Sequence, residues 1–291
     1  MQVIVMALFR AVEYATLGLG FGLIFSTTKI FHFVFGPIYA VASYAMLFFI
    51  LNMAVPFPLA LVMGLAFAVI LAVLIQVIFY EPLLNRPNAA LPLLITALGI
   101  FTIMQQLLAL PFGYQSKELP NGLRETLLIQ FGSITVTSTQ VIVFVIELLV
   151  ILLTLLLLSK TKFGLVVRAI GSDSDLAETL GSNLIKTRVL VMALGTALSG
   201  LAAIGTTMSV GVVSMSMPLA ASLVATVAAF IGGMNKHYGP LLGGILLGFA
   251  QVFASAFISG TWSEALVYSA LLIVILYRPR GLTGSKIGTL E

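Results

Sequence analysis

Cysteine is absent from the 291 residues, and only 8% of them carry charge. The first absence excludes disulfides and thiolate metal sites. The second excludes an ordinary water-soluble domain, in which roughly a quarter of the residues are charged. No G-x-x-x-x-G-K-[ST] phosphate loop is present; Gly284-Ser285-Lys286 echoes one but lacks its spacing and a preceding strand. Nor is there an H-E-x-x-H, a G-x-S-x-G or a cysteine nucleophile, so an intramembrane enzyme finds no support and no catalytic residue is assigned. No basic stretch precedes the first apolar run and no A-x-A site follows it, so no cleavable signal is expected.

What fills the chain instead is apolar: 60% of its residues are hydrophobic and the mean hydropathy is +1.16. About 20 apolar residues cover the hydrocarbon core as a helix. Segments of that kind fall at about 3–28, 30–53, 57–80, 91–111, 138–158, 187–207, 217–234, 240–258 and 264–277. They are continuously apolar rather than alternating, which reads as helices and not as a closed barrel. The expected fold is all-α: one polytopic membrane domain over 1–291, with about eight or nine spans. Glycine-rich segments are candidates for broken or re-entrant helices. Pro56 and Pro58, then Pro82 and Pro87, punctuate the early turns.

Charge orients the bundle. Arg86 marks one short loop; Lys160, Lys162, Arg168, Lys186 and Arg188 crowd another at 159–188; Lys236 marks a third; Arg278, Arg280 and Lys286 mark the tail. An even number of spans separates each from the next, so all fit on one face, which the positive-inside rule makes cytoplasmic. That accounts for the net charge of +4 without nucleic acid. The 112–137 loop then lies outside, its Lys117 and Arg124 balanced by Glu118 and Glu125, and the N-terminus is outside as well. Within 159–188, Ser172-Asp173-Ser174-Asp175 supplies candidate caps. Glu178 sits where a capping-box acid would lie relative to Asp175, and Gly181 can end the helix. A short helix at about 174–180 outside the membrane follows, either a solvated connector or a docking element.

Five stretches, in order, resemble the permease subunits of the branched-chain amino acid class of ATP-binding-cassette (ABC) importers. They are Gly22-Leu23-Ile24-Phe25 with Phe33, Gly36 and the small residues to Tyr44; Tyr80-Glu81-Pro82-Leu83 with Ile95-Thr96-Ala97-Leu98-Gly99 and Gln105-Gln106; Gly164, Arg168-Ala169, Asp175, Ala177, Leu180 and Gly181; Gly232-Gly233 with Gly239-Pro240-Leu241-Leu242-Gly243-Gly244 and Gly248; and Arg278-Pro279-Arg280-Gly281-Leu282. The resemblance implies a transmembrane subunit moving a small solute, an amino acid or related compound, across a bacterial-type inner membrane. It implies a second similar permease, two cytoplasmic ATPases that hold the ATP, and an extracytoplasmic solute-binding protein; this chain itself binds no cofactor. The 174–180 helix would then be the coupling element, with Arg168, Asp175, Ala177, Glu178, Leu180 and Gly181 as its candidate residues. One departure stands out: where the family has an Asn-Phe-Ala-His-Gly-Glu-like stretch, this chain reads His32-Phe33-Val34-Phe35-Gly36-Pro37.

Pathway candidates come from polar or small residues inside spans. A carboxylate at mid-span costs about 2.5–3.5 kcal/mol on insertion scales, so Glu147 qualifies by default. It shares a helix face with Gln140 and Thr154, a face that should meet the bundle or the partner permease. It reads either as a hydrogen-bonded structural acid or as a transport group, and it is not expected to carry coupled protons. An ATPase-independent secondary transporter or channel using Glu147 is the alternative. Thr96, Gly99, Thr102 and Gln106 share one face, and Ser222, Thr226, Ala229 and Gly233 another; close packing and pathway lining are both open to them. His32, Phe33 and Gly36 join the candidates. The pairs Gly18/Gly22, Gly239/Gly243 and Gly244/Gly248 allow close helix approach. Gly36-Pro37 and Gly239-Pro240, each after a histidine, hint at an inverted repeat with broken helices. His32 and His237 have no partner at ligand spacing and are not read as metal ligands.

Overall fold

The computed structural model describes residues 1–84, 86, 89–120, 127–132, 134–234, 238–257, 265, 269 and 281–283. The expected ninth span at 264–277, apart from residues 265 and 269, and Pro87, Arg124, Glu125, Lys236, His237, Arg278, Arg280 and Lys286 lie outside the described residues. Helix α1 runs Gln2–Thr28, α2 Phe35–Met53 and α3 Phe57–Ile75. A π-helical turn, Gln76–Tyr80, extends α3 into a last turn, α4, Glu81–Leu84. Then come α5 Ala90–Phe112, α6 Ser138–Lys160, α7 Lys162–Ser172, α8 Ser174–Thr179, α9 Leu184–Val210, α10 Met217–Gly232 and α11 Gly239–Phe257. Among the described residues, seven helices are long and apolar enough to cross a membrane, and α10 is a shorter apolar helix. The chain is a multi-pass helical membrane protein.

Two contacts give the bundle its ends. At one end the Gln2 side-chain amide donates to Thr135 O (2.8 Å) and accepts from Thr135 N (2.9 Å). At the other, Lys29 Nζ donates to Gly171 O (2.8 Å). The first is the hairpin end, where β2 (Leu128–Phe131) pairs antiparallel with β3 (Ile134–Thr137) and β1 (Lys117–Glu118) with β4 (Val212–Val213). These short strands, all in loops, are the only departure from an all-α fold among the described residues. The second is the charged end, carrying α7 and α8.

Helices α1, α2, α9 and α10 form the core; Tyr14, Phe21, Phe35, Tyr44, Met192, Ala202 and Ala225 are buried within it. By contrast α3, α5 and α6 turn apolar outer faces away from it, with Ile70, Ile95, Ile103 and Leu153 each more than half exposed. In water such faces would be untenable; in lipid they are the expected surface.

The helix of the second segment starts later than its apolar run. Residues 29–34 form an irregular link, with Lys29 in the left-handed region (φ 55°), and α2 begins only at Phe35. Phe35 packs edge-on against Phe21 (5.8 Å). Phe21 is seven residues before the end of α1, so α2 starts about 10 Å inside the charged end at 1.5 Å per residue. In the opposite sense, α9 ends at Val210 near the hairpin end, and a short link leads into α10, whose Met217 and Ala220 lie alongside Thr206. The two late-starting helices cross at their N-termini. Gly36 N donates to Ser222 Oγ (3.0 Å), and Ser222 Oγ donates to Phe33 O (2.8 Å). Any Cβ at Gly36 would overlap Pro218 O, so only glycine permits the crossing. Met217-Pro218 is placed like Gly36-Pro37: each proline sits in the first turn of a helix that follows a long oppositely running one. Gly239-Pro240 serves packing, since Pro240 rests on Gly18 and Gly22 of α1.

Candidate functional site

Three clusters of polar or charged groups stand out, and the charged end holds two. On the outside lie α7 and α8. The Thr161 hydroxyl caps α7 by accepting from Gly164 N (3.2 Å), and Arg168 turns back to donate to Leu158 O, a carbonyl left open at the end of α6. Arg168 is thus a brace between α6 and α7. Helix α8 is capped by Asp173, whose carboxylate accepts from Asp175 N (3.1 Å) and Leu176 N (3.0 Å). The cap is not Asp175, and Glu178 is therefore not a capping-box acid; Asp173, at the extended φ/ψ of an N-cap, precedes the helix by one residue. At the other end Gly181 N donates to Glu178 O (2.8 Å) and Ser182 N to Ala177 O (3.0 Å), with Gly181 at φ 90°.

The faces of α8 divide sharply. Ala177 is buried, whereas Leu176 is 57% and Leu180 79% exposed, one turn apart. Asp175 and Glu178 are exposed on the same short helix. Sequence reasoning passed over Leu176, although its spacing of four from Leu180 was a readable signal. Beneath this segment, Lys29 reaches Gly171 O; partial desolvation lowers the pKa of its ammonium.

Just inside lies the second cluster. Arg188 is not a loop charge: α9 begins at Leu184, capped by Asn183 (2.9 Å to Lys186 N), and puts Arg188 in its second turn. There its guanidinium meets Glu81 Oε1 (3.1 Å), while Gln76 Nε2 donates to Glu81 Oε2 (2.9 Å). All three side chains are buried. The π turn is what aims Gln76 and Tyr80 inward together with Glu81. Tyr80 OH lies 3.2 Å from Nδ1 of buried His32, so the link between α1 and α2 is tied to the same turn. His32 is a packed residue, and among the described residues no group of three His, Cys, Asp or Glu side chains could hold a metal.

The third cluster lies nearer the hairpin end. Arg10 Nη1 pairs with Glu13 Oε2 (2.7 Å), and Thr206 Oγ1 lies 2.5 Å from Glu13 Oε1 while accepting from Tyr39 OH (2.8 Å). Next to it, Glu147 is 3% exposed, and among the described residues its Oε1 has no hydrogen-bond partner. A cavity of about 170 Å³ runs between them, reached also by Gln140 and Ser209. The α6 face of Glu147 and Thr154 does point into the bundle. Gln140 closes a capping box with Thr137 (3.1 and 3.3 Å), and Thr154 bonds back to Val150 O (2.8 Å). Arg10 and Glu13 were not singled out from the sequence, although two charges in the first apolar segment were a signal. Tyr39 and Thr206 carried none.

The remaining pathway candidates scatter. Thr96, Gly99, Thr102 and Gln106 lie on the outer side of α5; a Cβ at Gly99 would touch nothing within 4 Å, and Gln106 bonds only Tyr114. Gly99, Thr102 and Gln106 are exposed, and Thr96 is half-buried. Thr226 bonds back to Ser222 O (2.7 Å). Gly233, at φ 90°, ends α10, where Leu282 N and Thr283 Oγ1 dock on Ile231 O (2.8 Å) and Gly232 O (2.7 Å).

Comparison with known proteins supplies a context. Residues 3–276 match the family described as branched-chain amino acid transport system, permease component. The high-affinity branched-chain amino acid transport system permease protein BraD of Pseudomonas aeruginosa is 26% identical over 282 residues, covering 93% of this chain and 91% of that protein. LivH of Salmonella typhimurium, of the same description, is 25% identical with the same coverage. A probable branched-chain amino acid transport permease protein LivH of Methanocaldococcus jannaschii is 29% identical over 92% of this chain and 87% of its own length.

Proposed function

The chain belongs to the family of permease components of branched-chain amino acid transport systems, and on that premise we propose that it forms one transmembrane half of an ATP-driven importer for an amino acid with an apolar side chain. A binding protein outside delivers the solute, a second permease completes the path, and two ATPases on the cytoplasmic face hold the nucleotide. The charged end is that cytoplasmic face, and the membrane is the bacterial-type inner membrane. This chain performs no covalent chemistry.

The observation that carries the reading is α8: a short capped helix, beyond the ends of the spans, whose Leu176 and Leu180 side chains have no cover. In this reading it seats in a groove of the ATPase, and closure of the ATPase dimer moves it as a rigid unit. Its motion reaches the bundle through Arg168 on Leu158 O, Lys29 on Gly171 O and the Glu81–Arg188 pair. The solute biases the two states only through its different affinity for each.

The test is purification from native membranes followed by reconstitution. An ATPase should copurify, and leucine uptake into vesicles should require ATP and the binding protein. Uptake by the permease alone, driven by an ion gradient, would overturn the importer reading.

A further inference from the structure

We propose that the cavity beside Glu147 is a binding site for the zwitterionic head of an α-amino acid, with the ammonium at Glu147, the carboxylate at Arg10 and an apolar side chain against Phe9 and Phe144. The naming of an amino acid rests on the proposed function; the site itself rests on the following geometry.

Glu147 is buried mid-bundle, and among the described residues one of its carboxylate oxygens has no partner. Buried polar atoms are almost always hydrogen-bonded, and an exception calls for a cause such as a missing ligand. At position 205 glycine lets α9 come close to this carboxylate, since a Cβ there would stand 2.6 Å from Val143 Cγ1 and 3.1 Å from Glu147 Oε1; the room lies on the other side, in the cavity that the Glu147 side chain lines with Arg10, Glu13 and Gln140. The cavity of about 170 Å³ is far above the roughly 10–15 Å³ that one water needs on the same measure, so it has space for a small organic group.

Charge placement selects the group. Glu13 is already engaged, by Arg10 on one oxygen and Thr206 on the other, so the unmet acceptor belongs to Glu147. An ammonium satisfies it with a charge-assisted hydrogen bond. Across the cavity the Arg10–Glu13 contact engages Nη1 alone, and a guanidinium carries five N–H donors in a fork suited to a carboxylate. The wall between is apolar: Phe9 and Phe144 meet edge-on at 5.1 Å, flanked by Met6, Val143 and Val252. An acid, a base and a greasy wall around one small cavity match the three parts of such a molecule.

The test uses the assembled complex with its ATPases and binding protein. Glu147 is labelled with a carbodiimide, and the modified peptide is followed by mass spectrometry with and without L-leucine. Leucine should slow labelling, while 4-methylpentanoate, which lacks the ammonium, should not. Glu147→Gln should bind leucine roughly tenfold to a hundredfold more weakly, as expected for one lost charge-assisted bond. Should the variant fail to assemble, the protection experiment on the unaltered complex still decides. Labelling indifferent to leucine, in a complex that takes leucine up with ATP, overturns the site and leaves the importer reading standing. Protection by isopentylamine as strong as by leucine overturns the zwitterion assignment in favour of a simple cation site. ATP-independent uptake sinks the importer reading instead, and the protection result then judges the site on its own.

Discussion

Glu81 and Arg188, 107 positions apart in the chain, form a buried ion pair with Nη1 and Oε1 3.1 Å apart. It joins the π-turn extension of α3 to the second turn of α9, directly under the α7–α8 segment. Removing one partner leaves an uncompensated buried charge, which costs about 3–5 kcal/mol. Arg188→Ala and Glu81→Ala should each lower stability by that order in denaturation of the purified protein. The double substitution Glu81→Gln with Arg188→Met should cost clearly less than the sum of the single losses. Additive losses would show that the pair does not act as a unit.

The crossing of α2 and α10 gives a second expectation. Gly36→Val drives a branched side chain into Pro218 O and should prevent accumulation of folded protein. Ser222→Ala removes the hydroxyl shared by Gly36 N and Phe33 O and should cost about 1–3 kcal/mol, since buried backbone groups are left unpaired. Normal yield of the valine variant would contradict the crossing.

If α8 docks on an ATPase, Leu176→Asp and Leu180→Asp should abolish uptake while leaving membrane insertion and thermal stability nearly unchanged, within about 0.5 kcal/mol as for other exposed positions. Glu178→Lys and Gly181→Asp should lose uptake too. Copurification of the ATPase with all four variants at the unaltered level would count against docking.

The chain's lack of cysteine permits a clean reading of sidedness. Leu180→Cys should react with an impermeant maleimide only from the cytoplasmic side, and Leu128→Cys, more than half exposed on the hairpin, only from outside. The reverse pattern would invert the proposed topology and with it the coupling role.

On α5, Gly99→Leu and Thr102→Leu should leave the stability of the isolated chain within about 0.5 kcal/mol, because both positions are exposed and, among the described residues, nothing lies within 4 Å of a Cβ at Gly99. A loss above 2 kcal/mol, read by denaturation, would show that this face is packed internally after all.

How much was legible follows from what kind of pattern each feature leaves. The apolar segments were readable because a bilayer selects on length and composition, both one-dimensional quantities. The short helix α8 was readable from Gly181 and the Ser-Asp cluster, though Asp173 rather than Asp175 proved to be its cap. The late start of α2 was hidden, because residues 30–34 are as apolar as a span and only their packing on Tyr80 and Ser222 turns them aside.

By itself the sequence determined that this protein lives in lipid as a helical bundle, where its loops are and which of them carries a protruding helix, since burial in hydrocarbon and local capping act on neighbouring residues. The tertiary structure alone decided that Arg188 answers Glu81, that Thr206 joins Glu13 to Tyr39, and that buried Glu147 lines a cavity beside Arg10 and Glu13. Those pairings join residues over 100 positions apart, and a buried charge finds its partner through the packing of whole helices, which no local pattern encodes.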